Sequence, residues 1–219
     1  MTTSGPRLGR EAILDAASVL MDERGIDDVS LNEINRASGH RNRSAATYHF
    51  GTRDAVVSEL FQRTMTVVDA ERIALLDHAE SAVQSIGPRT GIELIVGPYA
   101  RQLRTIEGRQ YLRLCAQLID HPRYVQGMGE VIAVNRSVQR AARWIAPALA
   151  HLPPAIAAER AAQIPAYLVR ACADQARLAD SDTPPRRILD LESFIVNVVD
   201  TILAMLAAPT SITVEAAAS

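Results

Sequence analysis

Residues 29–51 read VSLNEINRASGHRNRSAATYHFG, and this stretch decides the predicted fold. Ser30 and Glu33 stand three residues apart, the spacing of a capping box in which each side chain bonds the other residue's amide at a helix start. Gly39 then permits the positive φ of a sharp turn, and Gly51 ends the helix that follows. Two short helices joined by a tight glycine turn are typical of a helix-turn-helix.

The residues around this motif predict two more helices. Residues 10–24 repeat apolar side chains every three or four positions, as one face of a helix does, and Gly25 supplies the left-handed end. Thr52 caps a fourth, long helix that begins near Arg53 and extends to about Ser85. The expected buried residues of the fourth helix are Val56, Leu60, Phe61, Val67 and Val68.

The two helices of the motif itself are specified by local spacing. Their three-residue spacing places Leu31, Ile34 and Ala37 on the buried face of the second helix. Asn42 or Ser44, whose side-chain oxygens can accept a backbone N–H, caps the third helix.

The rest of the chain is predicted to be helical as well, so the fold class is all-α, with an N-terminal three-helix domain and a C-terminal helical bundle. Hydrophobic residues make up 48% of the chain and aromatic residues 4%, which favours helices packed through aliphatic side chains. Glycine and proline pairs such as Gly97-Pro98 mark breaks between helices. The predicted helices of the bundle cover residues 90–103, 107–120, 124–150, 155–179 and 186–207.

Charge is segregated along the chain, although the formal net charge is only -2. All 23 basic residues are arginine, and residues 34–53 hold several of them without any aspartate or glutamate. A basic patch on the turn and the third helix suits the neutralisation of phosphates on double-stranded DNA. The alternative is that an arginine-rich run forms an ordinary solvated face. The arginines of this window are Arg36, Arg41, Arg43 and Arg53.

The side chains of this window match the chemistry of a DNA contact. Guanidinium groups fork onto guanine, carboxamides pair with adenine, and hydroxyl or imidazole donors meet phosphate oxygens. The N-terminal amides of the fourth helix also favour an anion. Which residues read bases and which contact phosphate stays open. The predicted DNA-binding residues are Arg41, Asn42, Arg43, Ser44, Thr47, Tyr48, His49, Thr52 and Arg53.

Several segments carry a resemblance to a known family: Ile13-Leu-Asp-Ala-Ala through Glu23-Arg-Gly, Val29-Ser-Leu with Ile34, Ala37-Ser-Gly39, and Tyr48-His-Phe-Gly-Thr-Arg-Asp54. Over about residues 10–60 the chain resembles the DNA-binding domain of the TetR-type transcriptional regulators. The resemblance implies an all-helical homodimer. It also implies a helix-turn-helix DNA-binding domain at residues 1–55 and a ligand-binding and dimerisation domain at residues 56–219.

Carried over by position, the resemblance implies that residues 43–49 form the recognition helix. Arg53 stands where the family commonly has a lysine, and Thr47 stands where a tyrosine often contacts phosphate. This chain holds one more residue than the commonest family pattern between the turn and the end of this helix. Tyr48 is therefore a second candidate for that phosphate contact.

A small-molecule effector of unknown identity is expected to bind in the C-terminal bundle. Helical bundles bind ligands between their helices, in apolar pockets with a few polar anchors. Tyr111, Cys115 and Leu118 share one helix face by their four- and three-residue spacing. The alternative at each position is an ordinary core side chain. The predicted ligand-binding residues are Tyr99, Leu103, Tyr111, Cys115, Leu118 and Trp144.

The last two long helices are expected to form a homodimer interface. The aliphatic stripe of residues 186–207 is wider than one neighbour can cover, which predicts a four-helix interface with two helices from each subunit. Such a dimer presents two recognition helices to successive major grooves of a partly palindromic operator. An effector that favours a dimer whose two DNA-binding domains are splayed apart then relieves repression. The stripe comprises Ile188, Leu191, Ile195, Val198, Val199, Ile202 and Leu206.

Other classes of protein find little support in the sequence. Cys115 and Cys172 lie far apart without a C-x-x-C pairing, which argues against a disulfide scaffold and a zinc site. No H-E-x-x-H motif, glycine-rich phosphate loop or G-x-S-x-G elbow is present, so no enzyme, metal or cofactor is expected. The alternatives are an all-helical enzyme that uses the bundle pocket, and a helical adaptor or lipid-binding bundle that never meets DNA.

The start of the chain does not resemble a targeting segment. Residues 1–10 lack the apolar region of a signal peptide, and no apolar run reaches the roughly 18 residues that a bilayer span needs. A soluble, cytoplasmic protein without a membrane partner is therefore predicted.

Overall fold

The computed structural model describes residues 5–40, 42, 44–82 and 86–211, and every regular element in these ranges is helical. The predicted all-α fold class is confirmed. The α-helices of the described residues are α1 (Gly5–Arg24), α2 (Leu31–Ala37), α3 (Ala45–Phe50), α4 (Arg53–Ser81), α5 (Pro88–Ala100), α6 (Ile106–Asp120), α7 (Val125–Val134), α8 (Arg136–Ile145), α9 (Pro154–Ala179) and α10 (Leu191–Ala207).

The ends of the first three helices follow the local signals in the sequence. The Glu33 amide donates to Ser30 Oγ at 3.3 Å, and the Ser30 amide donates to Glu33 Oε2 at 2.9 Å, which completes the capping box. Gly25, Gly39 and Gly51 have φ angles of 92°, 71° and 71°, in the left-handed region that glycine adopts without a steric penalty. The predicted capping box and the predicted turns at Gly25 and Gly39 are confirmed.

A buried asparagine, rather than the predicted cap, fixes the start of α3. Asn35 Oδ1 accepts a hydrogen bond from the Ala46 amide at 2.8 Å, and Asn35 Nδ2 donates to the Asn42 carbonyl at 3.0 Å. The Asn42 side chain accepts from the Ser44 amide, and Ser44 makes no side-chain cap. Ala37 is exposed, so its predicted burial is wrong. Asn35 is buried because it satisfies amide and carbonyl groups of the turn.

The long helix α4 buries most of the predicted stripe but not all of it. Val56, Leu60, Phe61 and Val68 are buried, whereas Val67 is 57% exposed, so its predicted burial is wrong. Val67 lies next to Val68, and in a helix consecutive residues point in directions about 100° apart because 3.6 residues complete a turn. Only one of them can lie at the centre of the buried face.

Two predicted boundaries are wrong in the C-terminal helical bundle, which we call the body. The pair Gly97-Pro98 does not break the chain, because α5 includes it and continues into a 3-10 turn at Arg101–Arg104. Proline at this position removes one helical hydrogen bond in the final turn, which a helix end tolerates. The predicted helix over residues 124–150 is instead divided at Asn135, whose side chain accepts from the Val138 amide and starts α8.

Helix α10 begins later than predicted and is covered within the subunit. Asp190 caps it by accepting from the Ser193 amide at 2.9 Å, so residues 186–190 precede the helix. The aliphatic stripe of α10 packs against α5 and α9, and its residues from Ile195 to Leu206 are at most 8% exposed. The argument that this stripe needs a second subunit to cover it is therefore wrong. Among the large side chains of α10, Val196 points outward with 54% exposure.

A large apolar core joins most of the helices, and a smaller cluster of Leu76, Leu94 and Ala141 lies apart from it. A continuous cluster of contacting buried side chains extends from Ile13 in α1 to Leu206 in α10. In the part of the chain that the structure describes, no helix combines the length and the apolar character that a membrane span requires. No group of three or more histidine, cysteine, aspartate or glutamate side chains in that part is placed to hold a metal ion.

Candidate nucleic-acid interface

Helix α3 turns one face into the core and the other to solvent. Ala45 and Ala46 are buried, while Thr47 is exposed and Tyr48 is 84% exposed, the highest value for any large hydrophobic side chain in the described residues. The Tyr48 ring meets the half-buried His49 ring edge-on, with centroids 5.2 Å apart. Because tyrosine usually keeps much of its ring covered, this exposed ring makes α3 a candidate contact surface.

The turn before α3 is polar, and the preceding helix α2 carries an exposed positive charge. Asn42 and Ser44 are exposed on the turn that leads into the helix. Arg36 of α2 is exposed as well, and no ion-pair partner for it exists among the described residues. Arg41 and Arg43, the two arginines predicted to fork onto guanine, lie outside the described residues and stay predictions.

The start of α4 is already occupied by protein groups. Thr52 Oγ1 accepts from the Ala55 amide at 3.1 Å and caps the helix as predicted. Arg53 donates to the Asp27 carbonyl at 3.0 Å and to Asp27 Oδ1 at 3.2 Å. Asp54 adds a carboxylate in the first turn of α4. This protein carboxylate takes the place of the external anion that the sequence predicted at the helix terminus, and it repels such an anion.

Asp27 is shared between two parts of the molecule. Its Oδ2 lies 2.8 Å from Nε2 of His121, while its Oδ1 and backbone carbonyl accept from Arg53. The hydrogen bond to His121, followed by the charges of His121 and Arg53, holds the pKa of Asp27 below its usual range. The carboxylate therefore connects Arg53, at the edge of the candidate interface, to the turn that follows α6.

A row of side chains along α6 holds the helix-turn-helix against the body. The row continues into the turn after α6, and its members are spaced by three or four residues, which places them on one helix face. We call this row the α6 contact face. It consists of Gln110, Arg113, Gln117, His121 and Tyr124, which bond respectively to Ser18, Asp22, the backbone at Met21 and Ile26, Asp27, and Asp54.

Arg113 makes the most contacts of this row. Its Nε and one terminal nitrogen each donate to Asp22 at 2.6 Å, and the other terminal nitrogen donates to Asp180 at 2.5 Å. The side chains of Arg113 and Asp22 are 14% and 12% exposed. The hydrogen bonds from Asp22 raise the pKa of Arg113. A bidentate pair at this level of burial links α1 directly to α6, so a movement of one helix is passed to the other.

The predicted ligand-binding residues are brought together only in part. Tyr99, Tyr111 and Cys115 form one buried group, in which the two tyrosine rings lie 6.2 Å apart at 65° and both hydroxyls face the Cys115 thiol. Burial raises the pKa of Cys115 to about 12, so the thiol stays protonated. Leu118 is buried and Leu103 is half-buried in the same continuous core.

Trp144 occupies a different position from the tyrosine group. It lies on α8 against Gly91 of α5, where a side chain on Gly91 would approach the Trp144 Cβ to 2.9 Å. The Trp144 indole Nε1 is buried and has no hydrogen-bond partner.

The sequence prediction missed Arg72 of α4. It is 3% exposed, donates to Asp69 Oδ1 at 2.6 Å and to Ser137 Oγ at 2.8 Å, and its Nε has no partner. Burial lowers the pKa of Arg72 and the Asp69 carboxylate raises it. The signal was present in the spacing, because Val68, Arg72 and Leu76 follow one another at four-residue intervals on the buried face.

A cavity of about 340 Å³ lies between α1, α4 and α6. Leu60 and Val67 line it from α4, while Tyr111 and Leu114 line it from α6. Asp15 and Ser18 of α1 form the wall on the helix-turn-helix side, and further polar side chains, among them Arg63 of α4 and Glu107 of α6, complete it. The cavity therefore touches both parts of the molecule.

The fold of the chain is similar to that of a known protein. A crystal structure of a TetR-family regulator from Streptomyces coelicolor superimposes with a TM-score of 0.52, covering 95% of this chain and 99% of that chain at 17% sequence identity. The chain has the fold of a TetR-family regulator. No protein-family model matches the chain, and no curated protein matches it. The TetR-like fold predicted from the sequence is confirmed over nearly the whole chain, and at this identity the likeness concerns the fold.

Proposed function

We propose that the protein is a DNA-binding transcriptional regulator that represses by binding a partly palindromic operator as a homodimer and is released by a small-molecule effector. Residues 1–55 are the helix-turn-helix DNA-binding domain, and residues 56–219 bind the effector and form the dimer. It is not an enzyme. The observation that carries this proposal is the outward face of α3, with Tyr48 extended into solvent beside Thr47, within a window free of carboxylates.

The recognition surface combines the turn and α3. This surface offers exposed hydrogen-bond donors and acceptors, as a recognition helix does to the major groove. They belong to Asn42, Ser44, Thr47 and Tyr48. Arg36 of α2, which has no ion pair within the described ranges, adds an exposed positive charge. Arg41, Arg43, His49 and Thr52 complete the predicted set.

Arg53 contributes once DNA is present. Its partner Asp27 has a side chain that is 61% exposed, and ion pairs at that exposure are worth roughly 0–1 kcal/mol. A phosphate with charge-assisted geometry competes with such a pair. We therefore expect Arg53 to leave Asp27 for a phosphate oxygen.

The dimer forms through α9 and α10, by analogy with the TetR-like fold rather than by the apolar stripe. The outer faces of these helices expose small side chains, among them Ala158 and Ala162 of α9 and Ala204 of α10, together with Val196. Small side chains permit two helices to approach closely. A two-fold axis here presents both copies of α3 to successive major grooves about 34–36 Å apart.

The effector acts through the α6 contact face. The predicted ligand residues Tyr111, Cys115 and Leu118 lie on α6, the helix that grips α1 through Arg113. A ligand between the body helices that favours a different angle of α6 changes the separation of the two DNA heads. The shift requires unequal affinity of the ligand for the two arrangements.

DNA binding is tested with the full chain on duplexes selected from a random pool, measured by fluorescence anisotropy at several salt concentrations. The logarithm of the affinity should fall steeply with the logarithm of salt. Tyr48→Ala should weaken binding about tenfold or more, the loss typical of one good contact.

A matched pair of arginine variants distinguishes a local DNA contact from a general effect of net charge. Arg36→Ala should weaken binding and reduce the salt slope by about one. Arg143→Ala, on an exposed arginine of α8 without an ion pair among the described residues, should leave both unchanged. Equal effects of the two variants, or no selected duplex, would contradict the proposal and favour an adaptor or lipid-binding bundle.

A further inference from the structure

A histidine at the junction between the body and the helix-turn-helix has both ring nitrogens in use. His121 ends α6, and its Nε2 lies 2.8 Å from Oδ2 of Asp27, a residue of the turn after α1. Its Nδ1 accepts the backbone N–H of Arg123 at 3.1 Å. A neutral imidazole has one donor and one acceptor nitrogen, so Nδ1 carries no proton and Nε2 donates to Asp27. The contacts thereby specify one tautomer of the neutral ring.

Protonation of His121 changes both contacts. A proton on Nδ1 faces the Arg123 N–H, and because two donors cannot share a hydrogen bond, this contact is lost. The contact with Asp27 becomes a charge-assisted hydrogen bond, which is roughly twice as strong as a neutral one. Histidine is the side chain that ordinarily changes charge between about pH 5 and pH 8. Within this range the ring therefore exchanges a backbone hydrogen bond for a stronger hold on Asp27.

Asp27 is also the partner of Arg53, so two side chains compete for one carboxylate. Arg53 donates to Asp27 Oδ1 at 3.2 Å and to the Asp27 carbonyl at 3.0 Å. The hydrogen bond from His121 lowers the pKa of Asp27, which keeps the carboxylate charged over the same pH range. An imidazolium on Oδ2 neutralises part of the charge that holds Arg53. The guanidinium is then released more readily to a phosphate of bound DNA.

The remaining charged groups around the ring are paired with one another. Asp54, in the first turn of α4, bonds Arg123 at 3.4 Å and accepts from the Tyr124 hydroxyl at 2.6 Å. The Tyr124 ring lies beside the imidazole, with centroids 4.8 Å apart. Asp120, in the last turn of α6, bonds Arg170. Because these carboxylates already have guanidinium partners, the Asp27 contact and the partial negative charge at the C-terminal end of α6 favour the imidazolium.

We propose that His121 makes operator binding respond to pH: protonation transfers Asp27 from Arg53 to His121, frees Arg53 for a DNA phosphate, and raises operator affinity as the pH falls. The inference rests on the proposed function, because operator affinity is the property that changes. By linkage, DNA that recruits Arg53 also favours the protonated ring.

The first test needs no DNA. Two NMR signals of the full chain, the backbone amide of Arg123 and the side-chain Nε–H of Arg53, are followed from about pH 8 to about pH 5.5. Both should shift along one titration curve, because the same proton removes the acceptor of the first group and weakens the partner of the second. In Asp27→Asn the Arg53 signal should no longer follow this curve. An Arg53 signal that stays constant in the original protein would overturn the proposal.

Operator affinity is then measured by anisotropy over the same pH range at one salt concentration. The gain in affinity on acidification should be about two- to fivefold larger in the original protein than in His121→Gln, as expected for the release of one exposed ion pair. His121→Asn, which keeps an acceptor near the Arg123 amide, is the second variant if the first does not fold. His78→Gln, at an exposed histidine of α4, should keep the pH dependence of the original protein.

A double-mutant cycle identifies the carboxylate. In the Asp27→Asn background Arg53 is already released, so His121→Gln should no longer alter the pH dependence. An effect of His121→Gln that persists in this background, or equal pH dependence of His121→Gln and the original protein, would contradict this inference alone. If no duplex binds at any pH although the two NMR signals shift together, the proposed function is wrong and the exchange of Asp27 between its two partners is not.

Discussion

The candidate DNA surface and the α6 contact face use arginine in opposite ways. Arg36 is exposed and has no ion pair among the described residues, whereas Arg113 is largely buried and donates to two carboxylates. Fourteen arginines of the described residues form ion pairs with carboxylates. In a chain whose basic residues are all arginine, the number of arginines therefore does not mark a DNA site. The proposed DNA site rests instead on the local absence of carboxylates in residues 34–53.

The largest expected effect tests the buried side of this comparison. Arg113→Met leaves Asp22 without its cation in a poorly solvated site, and it leaves Asp180 paired with Arg109 alone. Removing one partner of a buried pair typically costs about 3–5 kcal/mol, and we expect about 3 kcal/mol because these carboxylates keep some solvent contact. Urea denaturation of the full chain measures the loss.

The matched control for Arg113 is an exposed pair. Arg177 bonds Asp174 at 2.7 Å, but the two side chains are 53% and 63% exposed. Arg177→Met should therefore change the free energy of unfolding by less than about 1 kcal/mol. Similar losses in both variants would show that burial does not distinguish the two uses of arginine.

An intermediate effect is expected where the two regions meet. Asp27→Asn removes the carboxylate that pairs with Arg53 and repels phosphate at the edge of the candidate interface. Operator affinity should rise about two- to fivefold, and the salt slope should steepen by up to about one, because a further arginine becomes available to the backbone. Anisotropy titrations at several salt concentrations measure both quantities.

Asp28 offers a neighbouring carboxylate as the control for Asp27. It is exposed, and its side chain forms no ion pair with an arginine in the described part of the chain. Asp28→Asn changes the net charge by the same amount without releasing Arg53. An equal gain in affinity from both variants would point to net charge rather than to the Asp27 contact.

The smallest expected effect concerns the helix that precedes the recognition turn. Hydrogen bonds from Ser30, and then from Arg24, lower the pKa of Glu33 from 4.5 to about 2. Because the pKa is lower in the folded state, the stabilisation by Glu33 is complete above about pH 4.5 and is lost as the pH falls toward 2. Glu33→Gln keeps the shape but does not titrate, so the stability difference from the original protein should shrink between about pH 5 and pH 3.

Urea midpoints over that pH range measure this difference. Glu23→Gln, at an exposed glutamate near the end of α1, should keep the pH dependence of the original protein. A constant difference for Glu33→Gln across the range would show that its carboxylate does not contribute through the capping box.

Local signals were sufficient to predict the helix-turn-helix. The capping box at Ser30 and the positive φ at Gly25 and Gly39 involve atoms within four residues of one another, so the sequence specifies them directly. The caps at Asn135 and Asp190 are equally local, and attention to them would have corrected two helix boundaries.

Features that depend on distant partners were not accessible in this way. Asn35 is buried because it completes a turn whose amide lies eleven residues later. Arg72 is buried because Ser137, sixty-five residues away, accepts from it. The α6 contact face is polar, so the sequence pattern alone predicts that it is exposed to solvent, whereas in the structure α1 packs against it. Sequence periodicity identifies the face of a helix that is covered, but not which polar side chains the covering element satisfies.

The position of Trp144 has a practical consequence. It is the sole tryptophan of the chain, its Cβ lies where α8 meets Gly91 of α5, and its indole nitrogen is buried. Its emission is therefore the only tryptophan signal of the chain, and it arises from a residue at that contact. Any rearrangement that admits water between the two helices shifts the emission to longer wavelength without an attached dye, so an effector can be screened optically on the unmodified protein.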